Sequence, residues 1–360
     1  MNTRLFKGLW LVLILALALP VHAQGNDPYT EVLTYIRENP DKVGIACQVL
    51  GEADDVYFHN ADENFVLAST GKIIILAAYA ERVANGELDP ETSIHIDDLD
   101  PYYLPLTDGG AHAQWTLSLD LGDDGMITLH DIVTGMIRFS SNANTDYLLD
   151  LMGYPDFADI YAAFGVNDMG QFPPLLGLYL LAFDPAVDRD AITDATAEAI
   201  DAAEAYIASP EIREQALEIY EDVDLDLGGD FLRQYFWQGT PRDFAHIMAQ
   251  VAEGKGVSED AAAIMRDVLE WPMSAQPDNA DYFSVLATKG GSLLNPGTLT
   301  GAWYGASLDG PTVAVSVFYN DLESETFNQW VSHFAHQLIE VSPIIDGSCL
   351  EFEQLFVEAE

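Results

Sequence analysis

The amino-acid sequence predicts an α+β fold, with an antiparallel β-sheet built from both chain ends, flanked by helices and set beside a mostly helical lobe. Apolar β-like runs occur early, at 43–50 and 55–58, and again late, at 283–288, 301–307 and 312–319. Most of the sequence between these two groups has helical spacing, and no internal repeat interrupts it. Strands at both ends with helices between them favour one sheet that faces a helical lobe.

The first 23 residues have the pattern of a secretory signal peptide. Arg4 and Lys7 precede an apolar run at 9–19, and a small-residue site ends at Ala23. The run is short for a membrane span, although a retained anchor is the alternative. We therefore expect a periplasmic or secreted protein whose single domain covers 24–360. No later stretch of the sequence is apolar and long enough to cross a bilayer.

The first half of this domain begins with a helix at 29–38, followed by the two early strands. A helix then starts at Ser69, and it is apolar nearly all round, which is typical of a buried helix. Asn85-Gly86 supplies its C-terminal stop. The stretch 101–127 is predicted to be a loop, with Gly109-Gly110 and an Asp-Asp-Gly turn.

The middle of the chain is predicted to be helical. Thr128 and Asp131 have the spacing of a capping box that opens a helix ending near Ser140. Another helix runs from about Asn144 to Gly153. Residues 184–235 form an acidic insertion with helical spacing, which we expect at the surface.

The last third returns to strands. A helix begins at Thr240-Pro241, and a final amphipathic helix covers about 327–341. The predicted sheet lobe thus comprises about 24–66 and 275–345, and the helical lobe about 67–274.

The charge balance is extreme. The chain has 14 Lys+Arg against 59 Asp+Glu, a formal net charge of −45 at pH 7. Such a surface repels nucleic acid and anionic membranes, which excludes both as partners. Its self-repulsion predicts a protein that is stabilised by molar salt, since salt shortens the range of charge interactions. Acidity kept only for solubility is the alternative.

Cys47 and Cys349 are the only cysteines. They would form a disulfide if the two ends of the domain meet, as domain termini often do, and an exported protein can keep one. Two unrelated thiols are the alternative. We expect no metal or cofactor, and a monomer.

Ser69 and Lys72 carry the clearest chemical signal. Residues three apart at a helix start lie on one face, about one turn apart. Burial lowers the pKa of a lysine, and the partial positive charge of a helix N-terminus favours both a neutral amine and a developing oxyanion. The pair therefore has the physics of an activated nucleophile and its proton acceptor.

Lysine is scarce, which sharpens this argument. After removal of the signal peptide only Lys42, Lys72, Lys255 and Lys289 remain. Each invites a specific explanation, with an ordinary surface position as the alternative for any one of them.

Two further motifs follow in order, Ser140-Ser-Asn142 at a helix corner and Lys289-Gly-Gly291 at the end of a strand. With the Ser69 motif, the sequence resembles the penicillin-recognising active-site-serine hydrolases, most closely class A β-lactamases, whose signatures are S-x-x-K, S-D-N and K-T-G. The segments 65–72, 128–142 and 240–245 extend the resemblance, which covers nearly the whole mature chain apart from about 184–235.

The resemblance implies roles for individual residues. Ser69 would attack the carbonyl carbon, Lys72 would take its proton, and Ser140 would pass a proton to the leaving nitrogen. These are the predicted catalytic residues.

The predicted substrate-binding residues are Asn142, Lys289, Gly291 and Ser292. Asn142 would hold Lys72 and the substrate amide, and Lys289 would add positive charge for a substrate carboxylate. The backbone N–H groups of Ser69 and Ser292 would form the oxyanion hole.

Three departures from the family pattern bear on function. Ser141 and Gly290 replace the usual aspartate and threonine, although Ser292 could supply a hydroxyl. The segment 171–183, where the family places the glutamate that activates the deacylating water, contains no acid. Asp168 precedes it and Asp184 follows it.

The expected substrate is a small β-lactam or peptide-like amide. The leading hypothesis is β-lactam hydrolysis through an acyl-enzyme on Ser69. A D-Ala peptidase of the peptidoglycan type, an esterase, or a binding protein that acylates without turnover remain the alternatives. A water-activating base from the insertion, such as Glu211 or Glu214, also stays open. An acid near Ser69 in the folded chain would favour β-lactam hydrolysis.

Overall fold

The computed structural model describes residues 28–105, 107–221, 228–350 and 352–353. The predicted signal peptide lies outside this part of the chain, so export stays a prediction. Among the helices of the described ranges, none combines the length and the apolar character needed to cross a bilayer.

The main sheet has five antiparallel strands in the order β2-β1-β9-β8-β7. Both ends of the chain contribute to it, since β1 pairs with β9 from Val43 opposite Tyr319 to Val49 opposite Val313. The predicted fold class is therefore confirmed. The strands are β1 (Val43–Val49), β2 (Val56–His59), β3 (Phe65–Val66), β4 (Ser93–His95), β5 (Met126–Thr128), β6 (Gln238–Gly239), β7 (Phe283–Leu293), β8 (Thr298–Ser307) and β9 (Val313–Tyr319).

Helices cover both faces of this sheet. The α-helices are α1 (Pro28–Glu38), α2 (Lys72–Ala84), α3 (Ala111–Ser118), α4 (Leu129–Thr134), α5 (Asn142–Leu151), α6 (Ala158–Phe164), α7 (Leu175–Phe183), α8 (Ala195–Ala208), α9 (Pro210–Glu221), α10 (Gly229–Tyr235), α11 (Pro241–Ala252), α12 (Glu259–Leu269), α13 (Trp271–Ala275), α14 (Ser324–His333) and α15 (Ala335–Asp346). α1, α14 and α15 pack on one face, and α11 and the helical lobe pack on the other.

Cys47 on β1 and Cys349 after α15 form a disulfide across a sequence separation of 302 residues. The disulfide is therefore confirmed, and the alternative of two separate thiols is wrong. It joins the sheet to the last helix of the chain, so the two ends of the domain do meet.

The helical lobe is organised around α2. Its residues from Lys72 to Ala80 are all buried, as the continuous apolar run predicts, and the helix ends just before Asn85. Thr128 and Asp131 form the predicted capping box at the start of α4. Thr240 likewise caps α11, with Pro241 at the first helical position. These local signals were sufficient because capping depends only on neighbouring residues.

Two predictions about elements were wrong. The stretch 101–127 is not a loop throughout, since it contains α3, whose Trp115 is buried. Gly109-Gly110 is the turn before this helix, and Asp108 caps it by accepting from the N–H groups of Gly110 and His112. The last helix is two helices, because Phe334 adopts the left-handed conformation (φ 52°) between α14 and α15.

The acidic insertion is helical as predicted, but it is not confined to the surface. Ala199, Tyr206 and Tyr220 belong to the hydrophobic core. Gly177 on α7 lies directly against the carbonyl oxygen of Ala199 on α8, where a side chain would clash. The insertion is therefore packed tightly onto the helical lobe.

Candidate active site

Ser69 lies in a strained turn that leads into α2. A 3₁₀ turn (Ala68–Gly71) precedes the helix, and Ala68 has a φ of 45°, which costs energy for a residue with a Cβ atom. Two buried threonines anchor this turn to the sheet. The hydroxyl oxygens of Thr70 and Thr300 lie 2.8 Å apart, and Thr300 donates to the carbonyl of Leu67. The surrounding structure thus holds the Ser69 backbone in one conformation.

Strand β7 passes very close to the same turn. A Cβ atom at Gly291 would lie 2.7 Å from the backbone nitrogen of Ser69 and 2.8 Å from the carbonyl oxygen of Leu67. Only glycine permits this approach. It brings the end of β7, with Ser292, next to the backbone N–H of Ser69.

Lys72 is completely buried at the start of α2. Its Nζ donates to the backbone carbonyl of Ser140 (2.7 Å), to Asn142 Oδ1 (2.8 Å) and, at 3.4 Å, to Ser140 Oγ. Burial lowers the pKa of Lys72 to about 7, although the charges of Asp108 and Asp146 oppose the shift. The amine can therefore lose and accept a proton near neutral pH.

Lys289 reaches the same serine from β7. Its Nζ donates to Ser140 Oγ (3.0 Å) and to the carbonyl of Gly290 (2.5 Å). Burial, followed by the charge of Lys72, lowers the pKa of Lys289 well below its ordinary value. Ser140 Oγ thus lies between two buried amines, each of which disfavours charge on the other.

The other two lysines of the described residues lie at the surface. Lys42 donates to the carbonyl of Asp321, and Lys255 pairs with Glu253 at 3.2 Å with both side chains largely exposed. Of these four lysines, Lys72 and Lys289 are therefore buried and clustered, and the other two are ordinary surface residues.

The corner that holds Ser140 and Asn142 is rigid. Ser140 is left-handed (φ 70°), and the next residue, Ser141, caps α5. Ser141 is buried, its Oγ donates to Asn144 Oδ1 (2.8 Å) and it lies 2.9 Å from His112 Nδ1. Ser141 therefore keeps the corner hydrogen-bonded although the usual aspartate is absent. No motif marked His112, which lies on α3, a helix within a stretch predicted to be a loop.

A cleft of about 530 Å³ opens at this corner. Ser69, Ser140, Asn142 and Ser292 line it, whereas Lys72 and Lys289 are buried behind these residues. Gly291 has no side chain, and this allows β7 to pass directly against the Ser69 turn. The fold therefore brings all seven predicted site residues together.

The acids around the cleft differ from the sequence-based expectations. Asp168, Asp184, Glu211 and Glu214 do not line the cleft; the carboxylate that does, among the described residues, is Asp108. It lies on the loop before α3, and no motif marked it.

α7 occupies the stretch where an acid is missing, and it places Tyr179 in the cleft wall. Asp146 lies on α5 and is buried against the N-terminus of α7, where its carboxylate accepts hydrogen bonds from the backbone N–H groups of Leu175 and Leu176. Burial raises the pKa of Asp146 to about 7, against the lowering effect of these bonds and of Lys72.

The sequence matches the family described as "Beta-lactamase enzyme family" over residues 27–295. The chain belongs to the β-lactamase enzyme family. This match includes every residue of the three motifs, and it ends before α14 and α15. Membership supports a hydrolase of the serine β-lactamase type.

Solved β-lactamases share the fold at low sequence identity. A β-lactamase from Sphaerobacter thermophilus is 20% identical with a TM-score of 0.55, covering 88% of this chain and 98% of that one. A mutant chromosome-encoded β-lactamase from Vibrio parahaemolyticus is 13% identical (TM-score 0.53; 87% and 99% covered). A β-lactamase from Chitinophaga pinensis is 17% identical (TM-score 0.52; 88% and 100% covered). No curated protein is similar enough in sequence to count as a match.

Proposed function

We propose that the chain is an exported serine hydrolase that forms an acyl-enzyme on Ser69, with the amide of a β-lactam as its substrate class. The observation that carries this proposal is the buried Lys72, whose lowered pKa makes it a proton acceptor at neutral pH one helical turn from Ser69. Family membership supports the reaction class. Export depends on the signal-like segment 1–23.

Acylation would use the groups that line or support the cleft. Ser69 Oγ attacks the amide carbonyl carbon as its proton passes to Lys72 Nζ, while the backbone N–H groups of Ser69 and Ser292 stabilise the oxyanion. The C–N bond then breaks, and Ser140 passes a proton to the leaving nitrogen. An ester of Ser69 remains.

Deacylation needs a base that activates water, and we propose Asp108 for this role. Water adds to the ester carbonyl as its proton goes to the base, and the C–O bond to Ser69 then breaks as the base returns that proton to Ser69 Oγ, which releases a carboxylic acid. Asp108 lines the cleft and lies close enough to Lys72 to act on its pKa. An Asp108→Asn variant should keep acylating but release the acyl group more slowly.

The second candidate function is a hydrolase or acyl-binding protein with slow or no β-lactam turnover, such as a D-Ala peptidase or an esterase. Tyr179 favours it, because this residue enters the cleft from the stretch where related enzymes place their water-activating glutamate.

Intact-mass measurement of the mature protein mixed with a β-lactam in molar salt distinguishes these functions. A transient adduct with loss of the compound is the expected result, and Ser69→Ala should abolish it, whereas Ser274→Ala at an exposed position should not. A permanent adduct would instead support the second candidate. No adduct on the wild-type protein would contradict acylation by β-lactams.

A further inference from the structure

The cleft that contains Ser69 also has a large apolar wall. Six side chains, mostly aromatic, form it: Phe183, Tyr220, Phe236, Phe327, Val331 and Phe334. None of them carries a charge, and four are at most 6% exposed. The catalytic corner is polar, so the two parts of one cavity differ sharply in chemistry.

Half of this wall comes from residues beyond the family match, and a fourth residue comes from the acidic insertion. Phe327, Val331 and Phe334 lie beyond residue 295, where the family match ends. Tyr220 belongs to the acidic insertion. Ser69, Ser140 and Asn142, by contrast, belong to the motifs, and Ser292 directly follows the third one. The wall therefore draws on the insertion and on residues beyond the family match, whereas the catalytic corner lies within that match.

Ring contacts and a hydrogen bond hold part of the wall in place. The Phe183 ring stacks on Tyr179 with centroids 6.0 Å apart and meets Tyr220 edge-on at 6.1 Å. The Tyr220 hydroxyl donates to the backbone carbonyl of Tyr179 (2.6 Å). Such a preformed apolar surface binds an apolar group at a reduced ordering cost.

The charges around the cleft disfavour an anionic group at this wall. The chain carries a net charge of −45. Asp108 lines the cleft, and the one cation among its described lining residues is the exposed Arg138. A bulky, uncharged substituent fits these conditions best.

We propose that the apolar wall is a substrate subsite that holds a bulky aromatic or branched aliphatic substituent while the carbonyl of the same molecule lies at Ser69. This inference rests on the proposed acylation of Ser69 and names the substrate class of that site. The occupant is a part of the substrate because the wall is continuous with the nucleophile in a cavity of about 530 Å³, a size suited to a small molecule.

Acylation rates of matched β-lactams test the subsite. One pair shares a ring nucleus and differs in an acetyl or a naphthoyl side chain; a second pair differs in a methyl or a phenyl substituent on the ring. Rates come from the growth of the Ser69 adduct by intact mass. We expect the larger member of at least one pair to acylate at least ~10-fold faster, as an apolar pocket discriminates by about this factor or more.

Two variants and a control test whether the apolar wall causes the preference for the larger substituent. Phe334→Asn removes a ring at a left-handed position that asparagine tolerates, and Val331→Ser removes a half-buried apolar group. Both should reduce the preference, which is the ratio of the two acylation rates within a pair, severalfold. Leu338→Asn, on α15 and 40% exposed outside the cleft, should retain the full preference.

Equal rates within both pairs, or a preference that survives in both variants, would overturn the subsite while the Ser69 adduct still supported the proposed function. Failure of every compound to acylate the wild-type protein would overturn both.

Discussion

The ionisation of Lys72 shows how strongly a single residue depends on its surroundings. An exposed lysine is charged at neutral pH and cannot accept a proton. At position 72 complete burial favours the neutral amine, while Asp108 and Asp146 favour the charged form. The balance places the pKa of Lys72 at about 7, so both forms are available near neutral pH.

This balance predicts the pH dependence of acylation. The neutral amine is the base, so the acylation rate should rise with pH and reach half of its maximum near pH 7. In Asp108→Asn the loss of a negative charge should lower the pKa of Lys72 and move this midpoint to lower pH. Adduct formation followed by intact mass between pH 5 and 9 measures both midpoints.

Asparagine has one acceptor oxygen and so keeps one of the two bonds that Asp108 accepts from the backbone at the start of α3, and circular dichroism checks that the variant folds. The matched control is Asp260→Asn on the exposed first turn of α12, which should leave the midpoint in place. A midpoint that rises in Asp108→Asn would contradict the assignment of Lys72 as the base.

At the scale of elements, the contact between β7 and the Ser69 turn positions the reacting groups. Gly290 and Gly291 are neighbours on this strand and differ in their surroundings. A Cβ atom at Gly290 would meet only the carbonyl oxygen of Thr300, at 3.6 Å, an ordinary contact. At Gly291 it would press on the backbone of Ser69 and Leu67.

Gly291→Ala should therefore push β7 away from Ser69 and reduce the acylation rate by about 100-fold, since a displacement of about 1 Å in a catalytic site has an effect of this size. Gly290→Ala is the control and should change the rate less than about threefold, within the range of an ordinary surface-like substitution. Stopped-flow or mass-based acylation rates decide the matter, with circular dichroism to check that both variants fold. Similar rates in the two variants would contradict the role of the close approach.

Some helix boundaries could be predicted from the sequence, and others could not. Capping residues placed the starts of α4 and α11 correctly, because the interactions that begin a helix lie within one turn. α3 was missed, and α14 and α15 were merged into one helix. A helix with a buried Trp115 but little amphipathic pattern, and a break at a phenylalanine, have no short-range signal.

At the scale of the whole molecule, the surface charge is largely unpaired in the described part of the chain. Ion pairs of lysine or arginine there include Arg233–Asp321, Arg242–Asp62 and Lys255–Glu253, and the 14 lysines and arginines of the chain are far outnumbered by its 59 acids. Most acidic residues therefore repel one another through solvent. Such repulsion opposes the compact state and weakens as salt is added.

The melting temperature should consequently rise between 0.1 M and 1 M NaCl, by at least about 3 °C, which corresponds to a gain near 1 kcal/mol for a protein of this size. Differential scanning calorimetry measures it, with an uncharged osmolyte at equal osmolarity as the control for general solvent effects. A melting temperature that stays flat or falls would favour acidity kept for solubility alone.

The sequence by itself determined the fold class, the order of the strands along the chain and the residues of the three motifs. These features depend on local periodicity, on capping and on short fixed spacings, all of which can be read directly from the amino-acid sequence. Ser69 and Lys72 were predicted from their spacing at a helix start, whereas Ser140, Asn142, Lys289, Gly291 and Ser292 were predicted from the resemblance to the penicillin-recognising serine hydrolases. All seven residues come together around one cleft.

Only the tertiary structure decided which other groups surround that cleft. Asp108, His112 and Tyr179 come from a supposed loop and from an apolar helix, and the apolar wall draws on residues from 183 to 334. The lowered pKa of Lys72 likewise follows from complete burial. Proximity between distant segments, and the loss of water around a charged group, are properties of the packed chain that no spacing in the sequence records.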